Sequence, residues 1–169
     1  MSDKKNPTIT VNGVTYQRIL IQTHIISEKD NIVDVIDRYT KEARQQGDMI
    51  AVSEKVTAIT QGRAIREDSL KIGLLARILW RFVRKVPYGI GLRSPATMQC
   101  AINECGSFRI LAAALLGGAT RLCGRRGDFY RIAGMQAATI DAAHTSPVPP
   151  YDQCVILGPR DPEKVAQQI

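Results

Sequence analysis

TITVNGVTYQRILIQT, residues 8–23, alternates apolar and polar side chains on both sides of an Asn12-Gly13 dipeptide. Such a dipeptide between two alternating runs is a strong hairpin signal, because both central residues of the tight turn need positive φ. A strand pair at the start excludes an all-helical bundle. Thr23-His24-Ile25-Ile26 would end the second strand, Ser27 can cap the next helix, and Ile32, Val33, Val35, Ile36 and Tyr39 have helical spacing within residues 31–46. Gly47 then stops the helix, and Met49 to Val52 reads as a short buried strand. Strand, helix and strand in this order predict an α+β fold in which helices pack on a mixed sheet.

Further along, residues 69–86 form a predicted helix with Leu75, Ile78, Leu79 and Phe82 on one face and Arg77, Arg81, Arg84 and Lys85 on another. VPYGIGLRSP is a loop, and its final Ser94-Pro95 places a cap and a first-turn proline at the start of a helix over 96–104. A small-residue helix follows Gly106, and Gly117-Gly118 and the GRRG run break the pattern. Asp128 to Ala133 is a strand candidate. After the proline-stiffened HTSPVPPY comes a strand over 153–157, then a helix with Asp161 as cap and Pro162 in its first turn. Neither a repeat nor a linker divides residues 1–169, so a single domain is expected.

The longest apolar run, Ile110 to Ala119, is far below the roughly 18 residues a bilayer span needs, so stable membrane insertion is not expected. With no secretory signal at MSDKKNP, a cytoplasmic location is expected. Cys100, Cys105, Cys123 and Cys154 lack metal-site spacing and read as buried thiols. The net charge of +7 is unevenly placed: between Ser69 and Arg131 there are eleven Lys or Arg and two acids, Glu104 and Asp128. This cationic stretch favours a polyanionic partner.

No phosphate loop of the G-x-x-x-x-G-K-[ST] type and no dinucleotide fingerprint is present. AVSEKVTAITQGRAI, residues 51–65, instead puts Lys55 after an apolar run, where open α/β sheets tend to bind ligands. Lysine there can serve as a point charge for phosphate, and Arg63 in Gln61-Gly62-Arg63 supplies a forked donor for phosphate or carboxylate. Asp141 in ATIDAAH, with His144 three residues on, is a carboxylate suited to a hard cation shared with substrate phosphates. Aromatics make up only 5% of the chain, which suits a nucleotide site better than a nucleic-acid surface.

THIISEKDNIVDVI, AVSEKVTAITQGRAI, ATIDAAH and VILGPRDPEKVAQQI, in this order along the chain, resemble segments of the coenzyme F420-0:L-glutamate ligases. The resemblance covers nearly the whole chain and implies that family's N-terminal part, without its C-terminal portion. It implies amide-bond formation driven by GTP with Mg2+ or Mn2+, and K+ as a further ion, adding L-glutamate to an anionic coenzyme such as F420-0. Under it, Lys55 with Ser53 and Glu54 contacts the nucleotide, and His24, Ile25 and Ile26 line it through main-chain groups. Asp141 ligates metal, Arg63 orients an anion, and Lys55 and Arg63 are the catalytic pair. The family's Ser and Asn after this aspartate are Ala143 and His144 here, and its preceding Gly is Thr139; His144 would replace the Asn as donor. The family's further metal-binding aspartates would come from a homodimer or a partner chain. A non-catalytic nucleotide-binding subunit is the alternative reading, and a basic RNA- or membrane-binding domain a more distant one.

Overall fold

The computed structural model describes residues 7–83, 90–125 and 127–169. Strands β1 (Thr8–Val11) and β2 (Val14–Gln17) pair antiparallel with Val11 opposite Val14. Asn12 (φ 50°) and Gly13 (φ 80°) supply the two left-handed turn residues that the dipeptide predicts. The second strand ends at Gln17 and not at residues 23–26, and residues 18–26 make no regular ladder.

Helix α1 (Ile32–Thr40) is capped by Asn31, whose side-chain oxygen accepts from the Val33 N–H at 2.9 Å. Ser27, the expected cap, is engaged with Asp30 instead. The helix ends at Thr40, with the Thr40 hydroxyl donating to the Ile36 carbonyl, and Gly47 belongs to a later turn. The strand expected at Met49 to Val52 is absent: these residues are irregular, and Met49 is 78% exposed. Among the described residues they pair with no strand. Lys55 therefore does not follow a strand; it lies in the first turn of α2 (Glu54–Thr60).

After a turn at Gly62 (φ 67°) comes β3 (Ala64–Arg66). The helix expected over 69–86 is shorter, α3 (Leu74–Leu79) with a 3-10 turn at residues 80–82. Ala76 is its buried residue, whereas Ile78 and Phe82 are exposed; Arg84 and Lys85 lie outside the described residues. Helix α4 (Pro95–Cys105) begins as expected, with Ser94 and Thr97 in a reciprocal capping box and proline in the first position.

Helix α5 (Ser107–Leu122) runs through Gly117-Gly118, which the sequence pattern reads as a break. The reason is packing. A methyl group at Gly117 would stand 3.0 Å from the backbone of Phe129, so glycine lets the next helix lie against this one. That next element, α6 (Asp128–Ala133), is a helix and not the expected strand; Gly127 (φ 89°) precedes it and Gly134 (φ 99°) ends it. Helix α7 (Met135–Ala138), strand β4 (Cys154–Ile156) and helix α8 (Pro162–Gln168) complete the order. Pro162 opens α8 as expected, but Asp161 makes no side-chain cap bond and instead faces Lys164 at 3.7 Å.

The class is α+β, and the described strands form two separate antiparallel pairs, β1–β2 and β3–β4. Ala64 faces Ile156 and Arg66 faces Cys154 across the second pair. Strand β4 divides the interior by its period of two. Val155 and Leu157 enter the main core with Met98, Ile110 and Ile140, whereas Cys154 and Ile156 pack against Ala58 and Ile59 of α2. The cysteines are free: Cys100 and Cys154 are buried, but Cys123 is exposed, contrary to expectation. Burial pushes the Cys100 thiol up to about 12, leaving it inert. Among the described residues no single helix is long and apolar enough to cross a membrane.

The two adjacent glycines of α5 should respond oppositely to alanine. At Gly118 nothing lies within 4 Å, so Gly118→Ala is expected to stabilise by about 1 kcal/mol through helix propensity. Gly117→Ala forces α6 away and is expected to lower stability by about 1–3 kcal/mol. Urea midpoints of the two variants check the sign.

Candidate functional site

The first turn of α2 brings its lysine to a carboxylate 86 positions later in the chain. Lys55 Nζ stands 3.1 Å from Asp141 Oδ2 and donates to Thr145 Oγ1 at 3.5 Å. Asp141 is held from behind, since its N–H donates to the Ile156 carbonyl at 2.8 Å and its carbonyl accepts from the Ile156 N–H at 3.0 Å. Thr145 is fixed by donating to the Ala142 carbonyl at 2.6 Å. Backbone pairing thus sets the carboxylate, and a single helical turn sets the ammonium.

This cluster opens on a cleft of about 190 Å3, lined by the polar Glu54, Lys55, Thr139 and Asp141 and the apolar Ala138, Ile156, Leu157 and Pro159. An ammonium has three donors, of which Asp141 and Thr145 take two. Asp141 is 48% exposed, so the pair is accessible to a ligand. Glu54 and Asp141 are hard oxygen donors lining the same cleft, a set that fits a divalent cation shared with substrate phosphates. Among the described residues there is no group of three or more His, Cys, Asp or Glu placed to hold a metal by themselves.

Arg63 is placed differently from expectation. Its side chain is only 6% exposed, its guanidinium is ion-paired with Glu104 of α4, and its Nε donates to the Gly158 carbonyl at 2.5 Å. It is not among the residues lining the cleft. The expected role of orienting an anion is taken from it by Glu104, a partner 41 residues away that no local pattern announces. Arg63 instead holds the cleft wall, and its own carbonyl accepts from the Leu157 N–H at 3.0 Å. Gln61 grips the same wall: its amide donates to the Arg160 carbonyl at 3.0 Å and accepts from the Arg160 N–H at 2.7 Å. Gly158 leaves room for Thr139 of the cleft lining, because a methyl group there would lie 2.0 Å from Thr139 Oγ1.

The remaining expected residues are not brought into the cleft. His24 has both ring nitrogens engaged, Nδ1 with the Tyr39 hydroxyl at 3.0 Å and Nε2 with Asp30 at 3.1 Å. Ile25 is exposed and Ile26 half-buried beside it. Ser53 occupies the cap position of α2 without a side-chain cap bond. His144 has a left-handed backbone (φ 64°) and lines a second cleft with Glu67, Asp68 and Gln153. Its Nε2 lies 3.8 Å from Glu67. Of the expected residues, the structure unites Glu54, Lys55 and Asp141. It adds Thr145 and Gln61, whose roles depend on partners 90 and 99 positions away.

The model of the F420-0:Gamma-glutamyl ligase family matches residues 20–169, and the chain belongs to that family. No curated protein and no solved structure matches the chain.

Two expectations follow from the geometry. Arg63→Met leaves the Glu104 carboxylate without its cation and should lower stability by about 3 kcal/mol. Arg63→Met/Glu104→Leu should recover much of that loss, read by urea unfolding. Separately, the Ser27 N–H (2.7 Å) and hydroxyl (2.9 Å), then His24, hold the Asp30 carboxyl below its ordinary value. Its stabilising contribution is present above the unfolded carboxyl pKa, about 3.9, and is lost as pH falls through the lowered folded value. Ser27→Ala is expected to raise the Asp30 titration midpoint in an NMR pH series.

Proposed function

We propose that this member of the F420-0:gamma-glutamyl ligase family uses GTP to join L-glutamate to an anionic coenzyme acceptor such as F420-0. The observation that carries the reading is the Lys55–Asp141 pair at 3.1 Å in a cleft with Glu54, the Asp141 carboxylate half-exposed. Each of these residues falls in a segment that resembles the family's site.

The reaction transfers the γ-phosphoryl group to the acceptor carboxylate and releases GDP. The glutamate amine, after losing its proton to solvent, displaces phosphate from the acyl phosphate to form the amide. Lys55 contributes a compact charge for the γ-phosphate, and Thr145 and Asp141 hold its ammonium in place. Mg2+ or Mn2+ on Glu54 and Asp141 would neutralise phosphate charge. Leu157 and Pro159 contribute apolar surface to the same lining.

The alternative, a nucleotide-binding subunit without catalysis of its own, draws support from one observation. No group of three metal-capable side chains exists among the described residues, so a second copy or another chain would supply further carboxylates. Glutamate-dependent GDP release with Mg2+ separates the readings. Under the ligase reading the chain turns over, GTP outperforms ATP, and Lys55→Gln and Asp141→Asn each lower kcat/KM by about 100-fold or more. GTP binding without glutamate-dependent turnover would instead select the subunit.

A further inference from the structure

Helix α5 is apolar on the side it turns to solvent as well as on the side it buries. Residues 110–120 carry no charged side chain. Ile110 and Ala113 are fully buried in the main core, and Gly117 lies against Phe129 of α6. On the other face Phe108, Leu111, Leu115, Leu116 and Leu122 are all exposed, Phe108 to 89% and Leu122 to 91%. At about 100° per residue, Phe108, Leu111 and Leu122 fall within about 40° of Leu115, so the four form one stripe along the helix. With Leu116 at its edge, the exposed surface is on the order of 600 Å2, the upper end for the largest apolar patch of a monomer. A surface helix carries polar residues on its outer face, whereas one that is apolar all round is covered by something.

Charge decides what covers it. Arg109 and Arg121 stand near the two ends of α5 and both are exposed, the first donating its Nε–H to the Ile132 carbonyl at 2.8 Å. Arg125 and Arg131 are exposed beyond them, at 3.2 and 3.4 Å from Asp128, the only acid in residues 107–133. A second copy laid against the stripe meets arginine with arginine. Like ends coincide in a parallel pair, and Arg109 approaches Arg121 in an antiparallel one, so such a pairing is opposed by repulsion. An anionic lipid surface takes both features at once. The apolar stripe enters the boundary between headgroups and acyl chains, and the arginines extend from its ends to lipid phosphates. The 16 residues of α5 make a rod about 24 Å long, short of the roughly 30 Å hydrocarbon core. Its inner face is also fixed in the protein core, so the helix lies in the membrane plane and does not cross it.

We propose that the outward face of α5 is a peripheral docking surface for an anionic lipid bilayer. The stripe supplies the apolar area, and the arginines make binding selective for anionic headgroups and sensitive to salt. The proposal is independent of the nucleotide reading, because none of these residues lines the Lys55 cleft.

Flotation of the full chain with lipid vesicles tests it, comparing phosphatidylcholine alone with phosphatidylcholine containing about one third phosphatidylserine. The chain is expected to bind the anionic vesicles about tenfold or more tightly than the neutral ones and to be released as NaCl rises. Leu115→Gln/Leu122→Gln should weaken anionic-vesicle binding by about tenfold or more, and Arg121→Gln by a smaller factor that vanishes at high salt. Both leucines are exposed, so an unchanged urea midpoint shows that the double variant is folded. Failure of the unsubstituted chain to float with anionic vesicles overturns the proposal. Undiminished flotation of a folded Leu115→Gln/Leu122→Gln also overturns it, since the lipid contact would then lie elsewhere. A chain that stays off vesicles but sediments as a dimer, and as a monomer in Leu115→Gln/Leu122→Gln, overturns it in favour of a second copy on the stripe.

Discussion

A single buried guanidinium connects three parts of this protein that are distant in sequence. Arg63 leaves the turn after α2, donates to the Gly158 carbonyl beyond β4 and pairs with Glu104 at the end of α4. Removing an arginine from water is costly, and the cost is offset only when several of its donors are met. Here they are met by one carboxylate and one carbonyl, so the pairing specifies how α4, the α2 turn and the β4 exit lie together. The cleft wall at 157–159 inherits its position from that arrangement.

The same commitment explains why the cleft is polar but poorly supplied with cations. Strand β4 sends Val155 and Leu157 into the main core and Cys154 and Ile156 toward α2, so this strand offers no charge. Charge has to come from the edges: Lys55 from a helical turn and Asp141 from the bridge to Ile156. Both are fixed by backbone hydrogen bonding, which makes the site a rigid rim on a small sheet. This rim provides one ammonium together with the carboxylate oxygens of Glu54 and Asp141.

Local signals were legible where the controlling interactions are local. Asn12-Gly13 and Ser94-Pro95 act through their own turns, and both elements appear as read. Lys55 and Asp141 were recognisable as candidates because their segments resemble a family's site. Where packing between remote elements decided, the local reading failed. Gly117-Gly118 looks like a helix break, yet the first glycine admits Phe129 of α6 and the helix continues. Residues 128–133 have the apolar content of a strand, but two left-handed glycines bound them and α5 lies alongside, so they coil. Met49 to Val52 pairs with no strand among the described residues and stays irregular.

By itself the sequence determined the α+β class, the hairpin, the start of α4 and the identity of the chemically capable residues, because propensity, turn geometry and residue chemistry travel with the chain. The tertiary structure alone decided which of those residues share a site. It joined Lys55 to Asp141 and withdrew Arg63 into an internal ion pair with Glu104. It also bound Gln61 to the backbone of Arg160 across 99 positions. Charge pairing depends on distance in space and on exclusion of water, and neither quantity is encoded in the spacing of residues along the chain.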